Sequence, residues 1–154
     1  YMVWRRYSWR GVVVLVVALG LAIAMADLAA GIFKHQGPLA DLWPSFPARL
    51  RPMHTPEGLD FVANGYYTNY IYGTVSGHTA TIVAISLLTS VVVRRAWFSV
   101  LIWSVATLVC YSRIYLACHF PQDILLGAGV GIVSGVLGVL IFNTVVALRL
   151  KCKG

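Results

Sequence analysis

The chain has 154 residues, of which 59% are hydrophobic and 11% charged, with a net charge of +7 and a mean hydropathy of +0.79. A water-soluble domain carries about 25% charged residues, so this composition excludes an ordinary soluble globule and points to helices that cross a bilayer. The positive charge does not mark a nucleic-acid binder, because most of it lies in three clusters that flank apolar runs: Arg5, Arg6, Arg10; Arg94, Arg95; and Arg149, Lys151, Lys153.

Four spans follow in chain order, at residues 11–33, 77–93, 96–116 and 124–148. Each is long enough to cross a hydrocarbon core of about 30 Å as a helix. A cleavable leader is the other reading of the first stretch, with Arg5 and Arg6 before an apolar region and Ala24-Met25-Ala26 as the cleavage site. The apolar run continues to Phe33, which favours a span. The predicted fold is therefore all-α, a polytopic transmembrane bundle forming a single domain over residues 1–154.

Between the first two spans lies a long connection, residues 34–75. Its Trp43, Tyr66, Tyr67, Tyr70 and Tyr72 suit the headgroup zone, and a short interfacial helix is predicted around Leu39–Trp43. If the spans alternate, all three basic clusters fall on one side, which the positive-inside rule makes cytoplasmic. The remaining cations, Lys34, Arg49, Arg51 and Arg113, fall at the opposite boundary, where an anion is the simplest reason for them.

Chemistry-bearing residues gather at that boundary. Lys34 ends the first span, Ser76, Gly77 and His78 open the second, Ser112 and Arg113 end the third, and His119 and Asp123 open the fourth. Spans two and four both start there, so their positive dipole ends and unpaired amides face the same place. Ser76 is a suitable N-cap, and Gly77 allows an oxyanion to approach the backbone. Pro121 suits a first helical turn.

Other polar residues have structural readings. His35 and His54 are read as loop residues, and Cys110 and Cys118 as small apolar fillers. Asp27, inside the first span, is either support for a cation or a protonated packing residue. Gly127, Gly131 and Gly135 make a helix-packing stripe, within the fold or between copies. The carboxylates are too dispersed to form a metal cluster.

The run S-R-I-Y-L-A-C-H-F-P-Q-D, residues 112–123, fits the pattern S-R-x5-H-x3-D, and Val75-Ser76-Gly77-His78 resembles P-S-G-H with valine for proline. Arg51-Pro52 supplies half of a K-x6-R-P pattern. On these motifs the chain resembles the type 2 phosphatidic acid phosphatase (PAP2) superfamily of lipid phosphatases, which also includes vanadium haloperoxidases. Removing residues 37–46 would bring Lys34 to the family spacing, so an insertion is predicted there; otherwise Arg49 takes the lysine's place. The family core of about six helices suggests that one or two precede Tyr1.

The resemblance implies that His119 is the nucleophile and Asp123 the acceptor of its ring N–H. It implies that His78 is the general acid and base, and that Arg51, Arg113, Lys34, Ser76 and Gly77 hold the phosphate. It implies neither metal nor cofactor. The expected protein is a phosphatase in the cytoplasmic membrane with its site facing outward. Undecaprenyl diphosphate is the first candidate substrate, followed by phosphatidylglycerophosphate, phosphatidate and lipid A 1-phosphate. A lipid phosphotransferase and a non-catalytic phospholipid-binding protein are the alternatives.

Overall fold

The computed structural model describes residues 2–56 and 69–151. Glu57, Asp60, Tyr66, Tyr67, Cys152 and Lys153 lie outside the described residues. Among the described residues four α-helices make the fold: α1 (Met2–Lys34), α2 (Gly77–Val93), α3 (Ala96–Tyr115) and α4 (Pro121–Lys151). Three stretches among the described residues are helical, long and apolar enough to cross a membrane, Arg6–Lys34, Ala96–Tyr115 and Pro121–Leu148. The 17 residues of α2 rise about 26 Å, slightly less than a hydrocarbon core.

The predicted spans and the helices agree to within a few residues, apart from the start of α1 at Met2, where Ser8 interrupts the helical dihedrals. The fourth helix starts at Pro121 rather than Ile124 because Pro121 occupies the first helical position and Asp123 caps the turn: the amide of Phe120 donates to Asp123 Oδ2 at 2.8 Å.

The shortest helix is the hub. α2 packs against α1, α3 and α4, and α1 also packs on α4. Small residues make this possible. A Cβ at Gly127 would lie 2.6 Å from the carbonyl oxygen of Ser76, and one at Gly131 2.5 Å from that of Ala80. At Gly135 it would lie 3.1 Å from that of Ala84. The register advances four residues on both helices at each step, so α2 and α4 run parallel with their backbones in contact. The glycine stripe is thus spent inside the fold. α1 offers the matching surface, with Ala18, Ala22, Ala26 and Ala30 all buried.

α3 is different. Ala106 is its one buried residue, and Trp97, Val100, Leu108 and Tyr111 are exposed, as expected of an apolar surface facing lipid.

The long connection is folded. The expected helix at Leu39–Trp43 is a single 3-10 turn, Ala40–Leu42, because Pro38 and Pro44 bracket it. Phe33, Trp43 and Phe46 pack in tilted and edge-on contacts with ring centroids 5.1–6.1 Å apart, which folds residues 37–46 over the end of α1. Residues 49–51 and 71–74 then run antiparallel: Arg51 N–H donates to Ile71 O and Gly73 N–H to Arg49 O, both at 2.9 Å. Met53, fully buried, packs on Ala117 and Cys118 and ties the connection to the α3–α4 turn.

Candidate active site

The helix ends that the sequence places on one face meet around one cavity of about 900 Å³. Lys34 reaches it from α1, Gly77 and His78 from α2, Arg113 from α3, His119 from the α3–α4 turn and Arg51 from the connection. The cavity continues beside α1 past Asp27 and Ala24 to Gly20, with Ile23, Ile82 and Val109 on its walls.

His119 is held by its turn. The last carbonyl of α3 that matters is that of Arg113, which accepts the amides of Cys118 at 3.0 Å and His119 at 3.3 Å, while Ala117 adopts a left-handed conformation (φ 51°). The ring is 2% exposed. Its Nδ1 lies 2.7 Å from the carbonyl oxygen of Gly73, which can only accept, so Nδ1 carries the proton and Nε2 keeps its lone pair. Arg51 Nη1 lies 3.4 Å from Nε2 and also donates to Cys118 O at 3.3 Å.

Here the geometry departs from the expected role of Asp123. Its Oδ2 is 3.8 Å from His119 Nδ1, outside hydrogen-bond reach, and the carboxylate is fully buried away from the cavity. It instead pairs with the Arg49 guanidinium and caps α4. The ring N–H goes to Gly73 because the 71–74 segment passes closer to the imidazole than the first turn of α4 does.

Ser76 also takes a different place. Its side chain is fully buried and accepts Thr79 N–H at 3.3 Å and the Thr79 hydroxyl at 3.0 Å, so it caps α2 and does not line the cavity. Its neighbour does: the amides at Gly77 and His78 have no acceptor within the helix, and a Cβ at Gly77 would lie 3.0 Å from Lys34 Nζ. Lys34 is nearly buried and lines the cavity, whereas Arg49 does not. Lys34 and Arg51 thus line the same cavity, and Arg49 lies outside it.

Two contacts escaped the motif reading, that of Gly73 with His119 and that of Arg49 with Asp123. Gly73 carried a signal, since a glycine inside an extended stretch marks close backbone approach; a Cβ there would meet Arg51 Cγ at 2.8 Å and His119 Nδ1 at 3.4 Å. The Arg49–Asp123 pair carried none, because 74 positions separate its members. His35 is a loop residue, its Nε2 donating to Phe46 O at 2.9 Å. Asp27 stands exposed in the cavity wall, its Oδ1 3.6 Å from the Cβ position of Gly77.

Two histidines, three cations and a helix N-terminus around one cavity, at the end of an apolar helical bundle, make a class of site chemically suited to an anion such as a phosphate. The sequence profile of the PAP2 superfamily matches residues 11–147, and the chain belongs to that family. It is 38% identical over 123 residues to a lipid A 4'-phosphatase of Porphyromonas gingivalis, covering 79% of this chain and 48% of that protein. It is 30% identical over 135 residues to a lipid A 4'-phosphatase of Bacteroides thetaiotaomicron, covering 85% and 55%. A lipid A 1-phosphatase of Porphyromonas gingivalis is 34% identical over 136 residues, covering 87% and 24%. The chain thus spans about half the length of the two 4'-phosphatases. No solved structure matches it significantly.

Proposed function

We propose that this protein is a lipid phosphatase of the bacterial cytoplasmic membrane that removes a phosphate from a lipid A headgroup at the outer face of the bilayer. The observation that carries the reading is the single cavity that joins His78 and His119 to Lys34, Arg51, Arg113 and Gly77. Its shape supports a lipid: from Lys34 to Gly20 it follows about 20 Å of α1, cationic at the boundary and, past Asp27, walled mainly by Gly20, Ile23, Ala24, Ile82 and Val109. Undecaprenyl diphosphate, first on sequence grounds, yields to lipid A because the relatives above are named for phosphates on lipid A.

In the proposed reaction His119 Nε2 attacks phosphorus, and the P–O bond to the lipid breaks as His78 protonates the departing oxygen. The phosphohistidine is then attacked by water, whose proton His78 takes. The P–N bond breaks, inorganic phosphate leaves, and both rings return to their starting states. Arg51, Arg113, Lys34 and the Gly77 amide stabilise the charge on the non-bridging oxygens.

The test is a panel of lipid A carrying both phosphates, undecaprenyl diphosphate, phosphatidylglycerophosphate and phosphatidate, each incubated with purified protein. Phosphate release from lipid A above the other three is expected, with mass spectrometry locating the lost group. His119→Ala should reduce release to background. Preference for undecaprenyl diphosphate would overturn the substrate, and full activity of His119→Ala the mechanism. Transfer of the phosphate to a lipid hydroxyl with no inorganic phosphate would make the protein a phosphotransferase.

A further inference from the structure

Asp27 is the one acidic residue in the apolar stretch Arg6–Lys34 and, among the described residues, the one carboxylate that lines the cavity. A carboxylate inside a membrane span is costly and is retained where it meets a partner or a substrate. Among the described residues Asp27 has no hydrogen-bond or ion-pair partner, and it is exposed to the cavity. Its place does not suit phosphate. Oδ1 lies 3.6 Å from the Cβ position of Gly77, the same point that Lys34 Nζ approaches at 3.0 Å, so an anion held there by Lys34 would be repelled by it. Along α1, Asp27 stands about 10 Å inward of Lys34 and about 10 Å short of Gly20, halfway down the cavity.

Thr81, one turn further in than His78 on α2, is the other polar side chain of this inner half, whose walls are otherwise apolar, with Ile23, Leu28, Ile82 and Val109. Its hydroxyl stands open too. Thr89, Ser104 and Thr107 return theirs to the carbonyl four residues back, the usual outlet on a helix. Thr81 makes no such bond among the described residues.

We propose that Asp27 and Thr81 form a subsite for hydrogen-bond donors beside the lipid's phosphate, the hydroxyl and amide N–H groups of an acylated amino sugar. This rests on the phosphatase reading and deepens it. With the phosphate among Lys34, Arg51, Arg113 and Gly77, the group bonded to the leaving oxygen passes Asp27 before the acyl chains reach the apolar wall. In lipid A that group is a glucosamine ring bearing hydroxyl and amide N–H donors. In phosphatidate it is a glycerol whose other hydroxyls are esterified, and beyond the phosphates of undecaprenyl diphosphate it is hydrocarbon. Neither offers a donor to the carboxylate, and a polar group that the bound lipid covers and leaves unpaired counts heavily against that lipid. The subsite therefore selects against donor-free lipids as well as for sugar ones.

The quantity that tests this is the ratio of kcat/KM for lipid A to kcat/KM for phosphatidate, measured in mixed micelles, whichever lipid the parent prefers. Asp27→Leu should lower kcat/KM for lipid A about 30-fold and that for phosphatidate by less than about threefold, with orthovanadate affinity within about threefold of the parent. Asp27→Asn, which keeps one acceptor oxygen, should give an intermediate ratio. Thr81→Val, nearly isosteric, should lower the ratio about fivefold.

Equal losses on both lipids in Asp27→Leu, or loss of orthovanadate binding, would make the carboxylate a counter-ion of Lys34 and overturn the subsite while leaving the phosphatase reading intact. An unchanged ratio would do the same. If Asp27→Leu does not fold, Asp27→Asn and Thr81→Val decide, and the parental ratio in both overturns the inference. A parent that acts on phosphatidate and releases nothing from lipid A would overturn the subsite and the lipid A reading together. A parent that acts on neither lipid and binds no orthovanadate would overturn the phosphatase reading itself, and the subsite with it.

Discussion

At positions 73 and 77 a hydrogen atom in place of a side chain decides how close charged groups can come to the backbone, and the two glycines differ in what surrounds them. Beside Gly77 the nearest atom to an added Cβ is Lys34 Nζ at 3.0 Å, the far end of a flexible chain. That ammonium can retreat, but only out of the position from which it would hold a phosphate. Gly77→Ala should therefore fold normally and raise KM several-fold through the displaced cation. Beside Gly73 an added Cβ meets Arg51 Cγ at 2.8 Å, the Cys118 carbonyl oxygen at 3.2 Å and His119 Nδ1 at 3.4 Å. The turn carrying the candidate nucleophile would have to move, and overpacking of this kind costs about 1–3 kcal/mol. Gly73→Ala should lower kcat by at least about tenfold, more than Gly77→Ala does. Steady-state kinetics on the two variants side by side measures the contrast, and equal kcat values would count against the Gly73–His119 bond.

At the scale of helices, the contact between α2 and α4 depends on which glycines face inward. Gly131 places an added Cβ 2.5 Å from the Ala80 carbonyl oxygen, a backbone atom that cannot yield without separating the helices. Two residues earlier, Gly129 has nothing within 4 Å. Gly131→Ala should lower the melting temperature in detergent, by a loss of about 1–3 kcal/mol. Gly129→Ala should be neutral or stabilising, since alanine is the better helix former. Matching temperatures for the two would mean that α4 packs through another face. The stripe was legible from its four-residue spacing, and so were the four helices from their apolar runs, because both depend on local periodicity. The direction of each helix end was legible too, from counting alternate spans. What the sequence did not disclose was contact between the connection and the α3–α4 turn. The family resemblance implied a bond between Asp123 and the His119 ring. The antiparallel pairing of residues 49–51 with 71–74 instead brings Gly73 nearer, and Arg49 with it. Such pairings across long separations leave no periodic trace. The same holds for Lys34, which shares the cavity with Arg51 across a connection folded by the contacts of Phe33, Trp43 and Phe46.

For the molecule as a whole, charge and site should face opposite ways across the bilayer. Arg94 closes α2 in a left-handed cap, and Arg94 and Arg95 together form the exposed α2–α3 turn, at the end of the bundle away from the cavity. The positive-inside rule assigns that turn to the cytoplasm. The cations at the other end break the rule but are all engaged: Arg49 with Asp123, Arg51 at the His119 ring and the Cys118 carbonyl, Lys34 and Arg113 on the cavity wall. Their placement then follows from the anion they would bind rather than from insertion, and the site should open outward. Single cysteines at two exposed positions, Ser45→Cys in the connection and Arg95→Cys in the turn, report this when Cys110, Cys118 and Cys152 are replaced by serine or alanine. In spheroplasts a membrane-impermeant maleimide should label Ser45→Cys and leave Arg95→Cys untouched; in inside-out vesicles the pattern should invert. Labelling of Arg95→Cys in spheroplasts would place the cavity in the cytoplasm, where a headgroup displayed on the outer face could not reach it.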